Sequence, residues 1–252
     1  MHIQSIPYGR DNYGYLITLP DGDRAIVDPG DARPFLTALG EERERLRLIL
    51  CTHYHPDHVA GLPELRQACP AAKVLAGAGD AERIDGVDES LTDLAMIPFG
   101  TRHFCAYATP CHTRGHMIYG LDDDLFTGDT LFAAGCGRFF EGGPEEMHAA
   151  LNERIAQLPP ATRVYAGHEY TLANLAFAQE VEPTNDAIRE AFKDAARKRD
   201  AGAPTLPTSI AQELAINPFM RLHVPAVQAF CQSQEAVMVM GRLRAAKNTF
   251  RA

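Results

Sequence analysis

The segment RLILCTHYHPDHVAG, residues 47–61, determines the fold that we expect for this chain. Its apolar beginning, residues 48–51, predicts a buried strand, and the sequence from residue 59 onwards predicts a helix. The turn between them carries three imidazoles and one carboxylate, which belong to His53, His55, Asp57 and His58. Turns at the ends of strands are where α/β folds gather their functional groups. We therefore expect an α/β protein with its functional site in this turn.

The histidine string at residues 53–58 has the chemistry of a metal site. From the chain's own histidine and aspartate frequencies, the pattern His-x-His-x-Asp-His arises by chance in about one of a thousand sequences of this length. Imidazole and carboxylate together suit zinc, iron or manganese. The string alone does not complete two coordination spheres, but three further donors each follow a predicted strand, namely His112, Asp129 and His168. If these strand ends share one edge of the sheets, all of the donors converge.

Single residues of these types have a simpler interpretation. A lone histidine is more often a hydrogen-bonded core or surface group than a metal ligand. We apply that interpretation to the five histidines outside the predicted cluster, which are His2, His103, His116, His148 and His223. Asp129 alone could cap the turn after a strand, with Gly128 providing backbone freedom. The neighbouring histidine string favours the metal interpretation, because a metal held there needs further ligands.

The chain divides into two parts with different patterns. Short β-rich runs predict strands at 13–19, 24–28, 47–52, 73–76, 104–109, 117–121, 125–127 and 163–166. Helices are predicted at 59–68 and 145–158, and then at 172–180, 185–199, 209–216 and 235–250. The strand signal stops after Tyr170. We therefore predict a layered α/β domain over 1–168, followed by a helical domain over 169–252.

Composition limits the classes of partner. The chain has 252 residues, 46% of them hydrophobic, and a net charge of -9, which disfavours general affinity for nucleic acid or for anionic membranes. The six cysteines include no Cys-x-x-Cys pair, so neither a disulfide framework nor a cysteine zinc site is indicated. The first residues lack a basic segment followed by an apolar run, and we expect a cytoplasmic protein.

An anionic ligand would need a local cationic patch, and the last residues provide one. Four cations and no acid occur between residues 242 and 252, and they are Arg242, Arg244, Lys247 and Arg251. At helical spacing Arg244, Lys247 and Arg251 share one face. The simpler interpretation is a solvated face that complements the negative end of a final helix.

Several of these motifs resemble those of the metallo-β-lactamase superfamily, and within it the hydroxyacylglutathione hydrolases, or glyoxalase II family. The superfamily resemblance rests on THYHPDH, TPCHT, TGD and GHEY. The closer resemblance rests on TGDTLFAAGCGRFFEGG (127–143), AGHEYTLANLAFA (166–178), PTLPTSIAQELAINPFMR (204–221) and GRLRAAKNTF (241–250). Together these segments extend over most of the chain.

The resemblance implies an αββα sandwich followed by a smaller all-helical C-terminal domain. It implies two divalent metal ions, zinc in the first place, with iron and manganese as alternatives. One ion is held by His53, His55 and His112, and the other by Asp57, His58 and His168. Asp129 bridges the two ions and is, with Asp57, an expected catalytic residue. A hydroxide shared by the ions would attack the substrate, and Asp57 would steer its proton.

The implied substrate is an S-(2-hydroxyacyl)glutathione, typically S-D-lactoylglutathione, which is split into glutathione and a 2-hydroxy acid in the second step of methylglyoxal detoxification. Arg138 and Tyr170 match positions that contact the glutathione backbone, and Arg244 and Lys247 match those that bind its glycine carboxylate. Phe140 stands where some members have a tyrosine, so a hydroxyl contact is lost there. Arg138 replaces a lysine, and a planar guanidinium differs from a point charge. We expect a monomer.

Other functions are compatible with parts of the pattern. A glutathione persulfide dioxygenase resembles the first domain but uses a single iron, and the complete set of donors and the long helical tail argue against it. A β-lactamase fits less well, because neither a secretion signal nor the cysteine ligand found in many of them is present. A non-catalytic metal-binding module is a third class. RNA-processing relatives fit poorly with the negative net charge.

Overall fold

A computed structural model describes residues 1–251 and contains two six-stranded β-sheets that pack face to face. The first sheet contains, from one edge to the other, β1 (His2–Tyr8), β2 (Asn12–Thr18), β3 (Arg24–Val27), β4 (Leu46–Cys51), β5 (Lys73–Gly77) and β6 (Glu89–Leu91). β3, β4, β5 and β6 run parallel, so their carboxyl ends lie at one edge of this sheet.

The remaining strands belong to the second sheet and to one hairpin. In chain order they are β7 (Ala95–Phe99), β8 (Arg102–Ala108), β9 (Met117–Leu121), β10 (Asp124–Gly128), β11 (Leu131–Phe132), β12 (Gly135–Cys136), β13 (Arg163–Ala166) and β14 (Thr208–Ser209). β11 and β12 form the hairpin, and the others form the second sheet in the order β14-β13-β10-β9-β8-β7. β10 and β13 are parallel neighbours, so the turns that follow them lie side by side.

Helices cover the outer surfaces of both sheets and make up most of the C-terminal region. They are α1 (Ala32–Leu39), α2 (Pro56–Val59), α3 (Leu62–Ala68), α4 (Ala78–Ala81), α5 (Pro144–His148), α6 (Thr171–Val181), α7 (Asp186–Asp200), α8 (Ile210–Ile216), α9 (Pro225–Cys231) and α10 (Ala236–Thr249). Short 3-10 turns occur at Arg43–Arg45, Ile155–Gln157 and Pro218–Met220. Within residues 1–251, every helix is too short or too polar to cross a membrane.

The layering follows from apolar residues on both faces of the strands. In β4, Leu48 and Leu50 point into the core between the sheets, whereas Ile49 points towards α1 and α3. In β10, Phe126 points between the sheets and Leu125 points towards α5 and α10. Strands buried on both faces have continuous apolar runs, as these have. The predicted αββα sandwich with a helical C-terminal region is confirmed.

Some elements differ from the sequence-based predictions. The predictions do not include the strands β1, β6, β7, β11, β12 and β14 or the helices α1, α4 and α9. β1 alternates between exposed and buried positions at the sheet edge and includes Pro7, so its apolar signal is weak. β14 pairs Thr208 and Ser209 with β13, so the C-terminal region is not entirely helical.

Two predicted helices are interrupted. The helix predicted at 59–68 is divided at Gly61, where a Cβ atom would come within 2.5 Å of the Pro29 carbonyl oxygen. Because the main chains approach so closely, the chain bends there between α2 and α3. The helix predicted at 145–158 begins as α5 and continues through a π-helical turn, Ala149–Arg154, before it ends in a 3-10 turn. Such π-helical insertions distort an otherwise regular helix.

A buried carboxyl group joins the C-terminal helices to the β11–β12 hairpin. Glu213 in α8 is fully buried and accepts hydrogen bonds from the Ala134 amide at 2.8 Å, the Asn217 side chain at 2.9 Å and the Thr208 hydroxyl at 2.9 Å. Burial raises the pKa of Glu213 from 4.5 to about 7, although these hydrogen bonds oppose the shift. The carboxyl group therefore stabilises the fold most when it is protonated.

Replacement of Glu213 by glutamine is expected to reduce the pH dependence of stability. The pKa of Glu213 is about 7 in the folded state and near 4.5 in the unfolded state, so its contribution is full below pH 4.5 and is lost as the pH rises through 7. The wild type should lose up to about 3 kcal/mol of unfolding free energy between pH 5 and pH 8 because Glu213 ionises. Glu213→Gln has no titrating group at this position and should not show that loss. Chemical denaturation at several pH values measures this difference. Glu180→Gln, an exposed change in α6, is the control, and parallel curves for Glu213→Gln and wild type would contradict the prediction.

Candidate metal centre

The residues that follow four strands, β4, β8, β10 and β13, meet at one edge of the sandwich. The loop after β4 carries His53, His55, Asp57 and His58, while His112, Asp129 and His168 follow β8, β10 and β13. The Nε2 atoms of His53 and His112 lie 2.9 and 3.0 Å from Nδ1 of His55. The Nε2 atoms of His58 and His168 are 3.2 Å apart, and Oδ2 of Asp57 lies 3.7 and 3.5 Å from them. The seven predicted donors therefore form two neighbouring groups.

Asp129 lies between the two groups. Its Oδ1 atom is 3.3 Å from Nε2 of His58 and 3.4 Å from Nε2 of His168, whereas its Oδ2 atom is 3.4 Å from Nε2 of His112. Gly128 makes this position possible because its φ is +47° and a Cβ atom would lie 2.4 Å from Oγ1 of Thr52. Each carboxylate oxygen thus faces a different group of imidazoles.

The donor set fits divalent cations. Oδ1 of Asp129 is buried and has no hydrogen-bond partner among residues 1–251. A buried carboxylate oxygen without a partner is unfavourable unless a cation compensates it. Imidazole nitrogens that face one another at about 3 Å are likewise the arrangement of a metal cluster, and nitrogen and carboxylate oxygen are the donors that zinc, iron and manganese accept.

Outer hydrogen bonds orient four of the imidazoles. Their Nδ1 atoms contact Oγ1 of Thr52 at 3.0 Å for His53, Oδ2 of Asp28 at 2.9 Å for His58, the Arg138 carbonyl at 3.0 Å for His112, and Oδ1 of Asp11 at 2.9 Å for His168. Each contact leaves Nε2 directed at the cluster, which is how proteins commonly hold metal-binding histidines. His55 alone presents Nδ1 to the cluster.

Sequence reasoning missed Asp11, Asp28 and Thr52. One signal for Asp28 was available, since it ends the strand predicted at 24–28, beside the strand that leads to the histidine string. Its φ of +51° is unusual for a residue with a side chain, and such backbone strain is concentrated at functional sites. Asp28 also accepts hydrogen bonds from the Thr52 amide and hydroxyl, both at 2.7 Å.

The electrostatics of the cluster favour neutral histidines in the first group. Burial lowers the pKa of His53 well below its ordinary value, and burial also lowers the pKa values of His55 and His112. For His58, burial lowers the pKa, but the carboxylates of Asp129 and Asp28 outweigh it and raise the pKa well above its ordinary value. Burial raises the pKa of Asp129, but His58 and His168 bring it well below its ordinary value. Neutral imidazole and ionised carboxylate are the forms that bind metal.

His116 contacts two residues of the cluster, His53 and Asp129. It is fully buried, its ring stacks on that of His53 at 4.9 Å, and its Nε2 atom accepts a hydrogen bond of 3.1 Å from the Asp129 amide. The Nδ1 atom contacts the hydroxyls of Thr109 and Thr130. Its position is consistent with our interpretation of His116 as a hydrogen-bonded core residue.

One cavity of about 440 Å³ joins the cluster to the residues predicted to bind substrate. Its walls include the ligand candidates His55, Asp57, His112, Asp129 and His168, and all five predicted contacts, Arg138, Phe140, Tyr170, Arg244 and Lys247. The Tyr170 ring stacks on His168 with centroids 4.7 Å apart, and the Phe140 ring lies 5.1 Å from His112. Phe140 is 58% exposed and borders the open side.

The two cations from α10, Arg244 and Lys247, also line this cavity. Arg244 is only 7% exposed, donates a hydrogen bond of 2.9 Å to the Cys136 carbonyl, and has an Nε atom without a partner among residues 1–251. Lys247 donates to the Ala173 carbonyl at 2.7 Å, and burial together with Arg244 lowers its pKa to about 8. The interpretation of this face as fully solvated is therefore wrong for Arg244.

The fold and the histidine–aspartate cluster define a protein of the metallo-beta-lactamase superfamily, whose profile matches residues 8–168, while a profile for the hydroxyacylglutathione hydrolase C-terminus matches residues 169–250. A hydroxyacylglutathione hydrolase of Synechococcus sp. is 43% identical over 99% of this chain and its own full length. The Arabidopsis thaliana protein named hydroxyacylglutathione hydrolase cytoplasmic is 38% identical over the full length of both chains. This chain belongs to the hydroxyacylglutathione hydrolase family.

Similarity of fold extends more widely. The crystal structure of ETHE1 from Myxococcus xanthus superposes with a TM-score of 0.71 at 23% identity, covering 100% of this chain and 93% of that one. At that identity the comparison shows a common fold, and the family assignment rests on the full-length relatives.

Proposed function

We propose that this chain hydrolyses S-(2-hydroxyacyl)glutathione thioesters, typically S-D-lactoylglutathione, to glutathione and a 2-hydroxy acid, as in the second step of methylglyoxal detoxification. The observation that carries the proposal is the single cavity that runs from the seven-donor cluster to Arg244 and Lys247. The name hydroxyacylglutathione hydrolase, borne by its full-length relatives, supports the substrate class.

The proposal includes two divalent cations, with zinc as the first candidate and iron or manganese as alternatives. His53, His55 and His112 would hold one ion, Asp57, His58 and His168 the other, and Asp129 would bridge them. When bound, such ions lower the pKa of water towards neutrality and polarise a carbonyl group, which is the chemistry that thioester hydrolysis requires. The partnerless Oδ1 of Asp129 supports the bridging role.

The protein's own residues bind and orient the substrate. Asp57, whose side chain is 52% exposed at the cavity, would also steer the proton of the attacking water. The Tyr170 ring and the Arg138 side chain border the cavity between the cluster and α10, where the peptide part of glutathione would lie. Phe140 has no hydroxyl group and would contribute only an apolar edge beside His55 and His112.

Arg244 and Lys247 are suited to the glycine carboxylate of glutathione. Arg244 uses Nη1 to bind Cys136, which holds the guanidinium in place while its buried Nε has no partner among residues 1–251. Lys247 lies over the rings of Phe177 and Phe250, at 5.3 and 5.4 Å from their centroids. Two held cations in the wall of one cavity favour an anionic ligand despite the negative net charge of the chain.

Replacement of both Arg244 and Lys247 by alanine is expected to raise KM for glutathione thioesters without changing metal content. Each lost charge-assisted hydrogen bond should cost about 1.5–3 kcal/mol of binding free energy. A small thioester that lacks the glycine end should lose little. The measurement is kcat/KM of the double variant for both substrates. Equal losses on the two would show that the tail serves stability or packing, and the carboxylate-binding role would be wrong.

Two comparisons make this test specific. Arg242→Ala is the matched control, because Arg242 lies on the same helix but donates to the carbonyls of Cys231 and Gln232, away from the cavity. KM of the wild type should also rise as the pH passes through about 8, where Lys247 loses its proton. Lys247→Ala should lack that rise.

The proposed function is tested by metal analysis of the purified protein together with an assay on S-D-lactoylglutathione. Two divalent ions per chain and hydrolysis that stops on chelation and returns on metal addition are the expected results. Fewer than about 1.5 metals per active chain would contradict the two-metal mechanism. Oxygen uptake with a glutathione persulfide by a one-iron protein would favour the dioxygenase instead.

The remaining assignments are also proposals. We propose a domain boundary between residues 168 and 169, which agrees with the limits of the two matching profiles. We propose a cytoplasmic monomer whose partner is a small molecule, not a nucleic acid or a membrane. The name of the Arabidopsis relative supports the compartment, and the net charge of -9 supports the exclusion of nucleic acid.

A further inference from the structure

The turn between β1 and β2 lies against the loop that carries His168. The Tyr13 amide donates to the Gly167 carbonyl at 2.8 Å, and the Glu169 amide donates to the Asp11 carbonyl at 2.8 Å. An isolated antiparallel bridge pairs Asn12 with His168. The side chains of Asp11 and Asn12 are thereby held at the second group of donors.

Asn12 contacts the most exposed of these donors. Its Nδ2 atom donates to Oδ2 of Asp57 at 2.9 Å and lies 3.4 Å from the Asp57 carbonyl oxygen. Asn12 is 7% exposed, whereas the Asp57 side chain is 52% exposed. The carboxylate oxygen that Asn12 binds is the one that lies 3.5 Å from Nε2 of His168 and 3.7 Å from Nε2 of His58.

We infer that Asn12 is a positioning residue that fixes Oδ2 of Asp57 towards the second metal ion, and so sets the affinity for that ion. This inference rests on the proposed function. Asp57 is the second residue of α2, a single helical turn, and half of its side chain is open to solvent. A carboxylate in that setting samples several rotamers, and a buried amide donor selects one of them.

The other two donors of the group have corresponding partners. Asp11 holds His168 and Asp28 holds His58, each through Nδ1 at 2.9 Å. A carboxylate at position 12 would repel Asp57, whereas the amide nitrogen of asparagine donates to it. The residue type at position 12 therefore matches the charge of the ligand that it holds.

The test is the affinity of each metal site in Asn12→Ala and in Asn12→Leu, which retains side-chain volume without the donor. In chelator competition, one of the two ions should bind about 10- to 100-fold more weakly, and the other should bind as in wild type. kcat should fall at limiting metal and recover with excess metal, while KM stays near the wild-type value. The unfolding temperature of the metal-free variants should stay close to that of the metal-free wild type.

Asn174→Ala is the matched control. Asn174 is 5% exposed, borders the cavity that Asp57 also lines and donates to the Ala133 carbonyl at 3.0 Å, so both metal affinities should be unchanged. Wild-type affinities in both Asn12 variants, or equal weakening of both ions with a less stable metal-free protein, would overturn the inference. A wild-type protein that binds fewer than two ions would overturn the proposed metal centre itself, and the role of Asn12 with it.

Discussion

Asp129→Ala is expected to lower the metal content and kcat together, with a loss of kcat of more than about 100-fold. Changes in the hydrogen-bonding partners of metal ligands alone lower affinity or activity by roughly 10- to 100-fold. Asp129 contacts both groups, with Oδ1 3.3 Å from His58 and Oδ2 3.4 Å from His112. Its removal takes a negative charge from the centre of the cluster and leaves Asp28 and Asp57, at 2.9 and 3.7 Å, as the acidic neighbours of His58.

Metal analysis and steady-state kinetics on the same preparation measure this effect. Asp124→Ala is the control, because Asp124 is a buried carboxylate at the other end of β10 that pairs with Arg163. The control should keep two metals and a normal kcat even if it is less stable. An Asp129→Ala protein that retains two metals and near-normal turnover would remove Asp129 from the bridge.

His58→Ala is expected to lose one metal ion and most of the thioesterase activity. In this variant the second ion would keep Asp57, His168 and the shared Asp129 carboxylate, one donor fewer than in wild type, so it should bind much more weakly. The change also removes the imidazole from Asp28, which is 2% exposed and keeps its hydrogen bonds from the Thr52 amide and hydroxyl; a hydrogen bond to a charged group is worth about 1.5–3 kcal/mol of stability. A modest decrease in unfolding temperature should therefore accompany the loss of metal.

This variant separates the two-metal hydrolase from a mononuclear enzyme of the same fold. Metal content and turnover of S-D-lactoylglutathione are compared with those of His103→Ala, an exposed histidine on β8 outside the cluster. Full activity with a single metal in His58→Ala would favour the mononuclear interpretation. Loss of both metals would mean that His58 also supports the first group, which our assignment does not include.

The sequence by itself was sufficient to predict the layered fold and the seven donors. Strands β4, β8, β10 and β13 have strong apolar runs, and each is followed within a few residues by a predicted ligand. A donor placed just beyond a strand can be recognised because the strand restricts where the turn lies. The cationic residues of α10 were recognised by resemblance, since their spacing alone also fits a solvated face.

Only the tertiary structure decided which neighbours orient the donors. Asp11, Asn12 and Asp28 are 157, 45 and 30 residues from the ligands that they hold, namely His168, Asp57 and His58. No local pattern links residues so far apart, because their contacts depend on how β1, β2 and β3 pair in the sheet. The sequence pattern did not predict the edge strand β1 or the burial of Arg244 for the same reason. The periodicity of apolar residues shows which face of a helix or strand is apolar. The hydrogen bonds that orient the donors, and the burial of single residues, depend on which other elements pack against those faces.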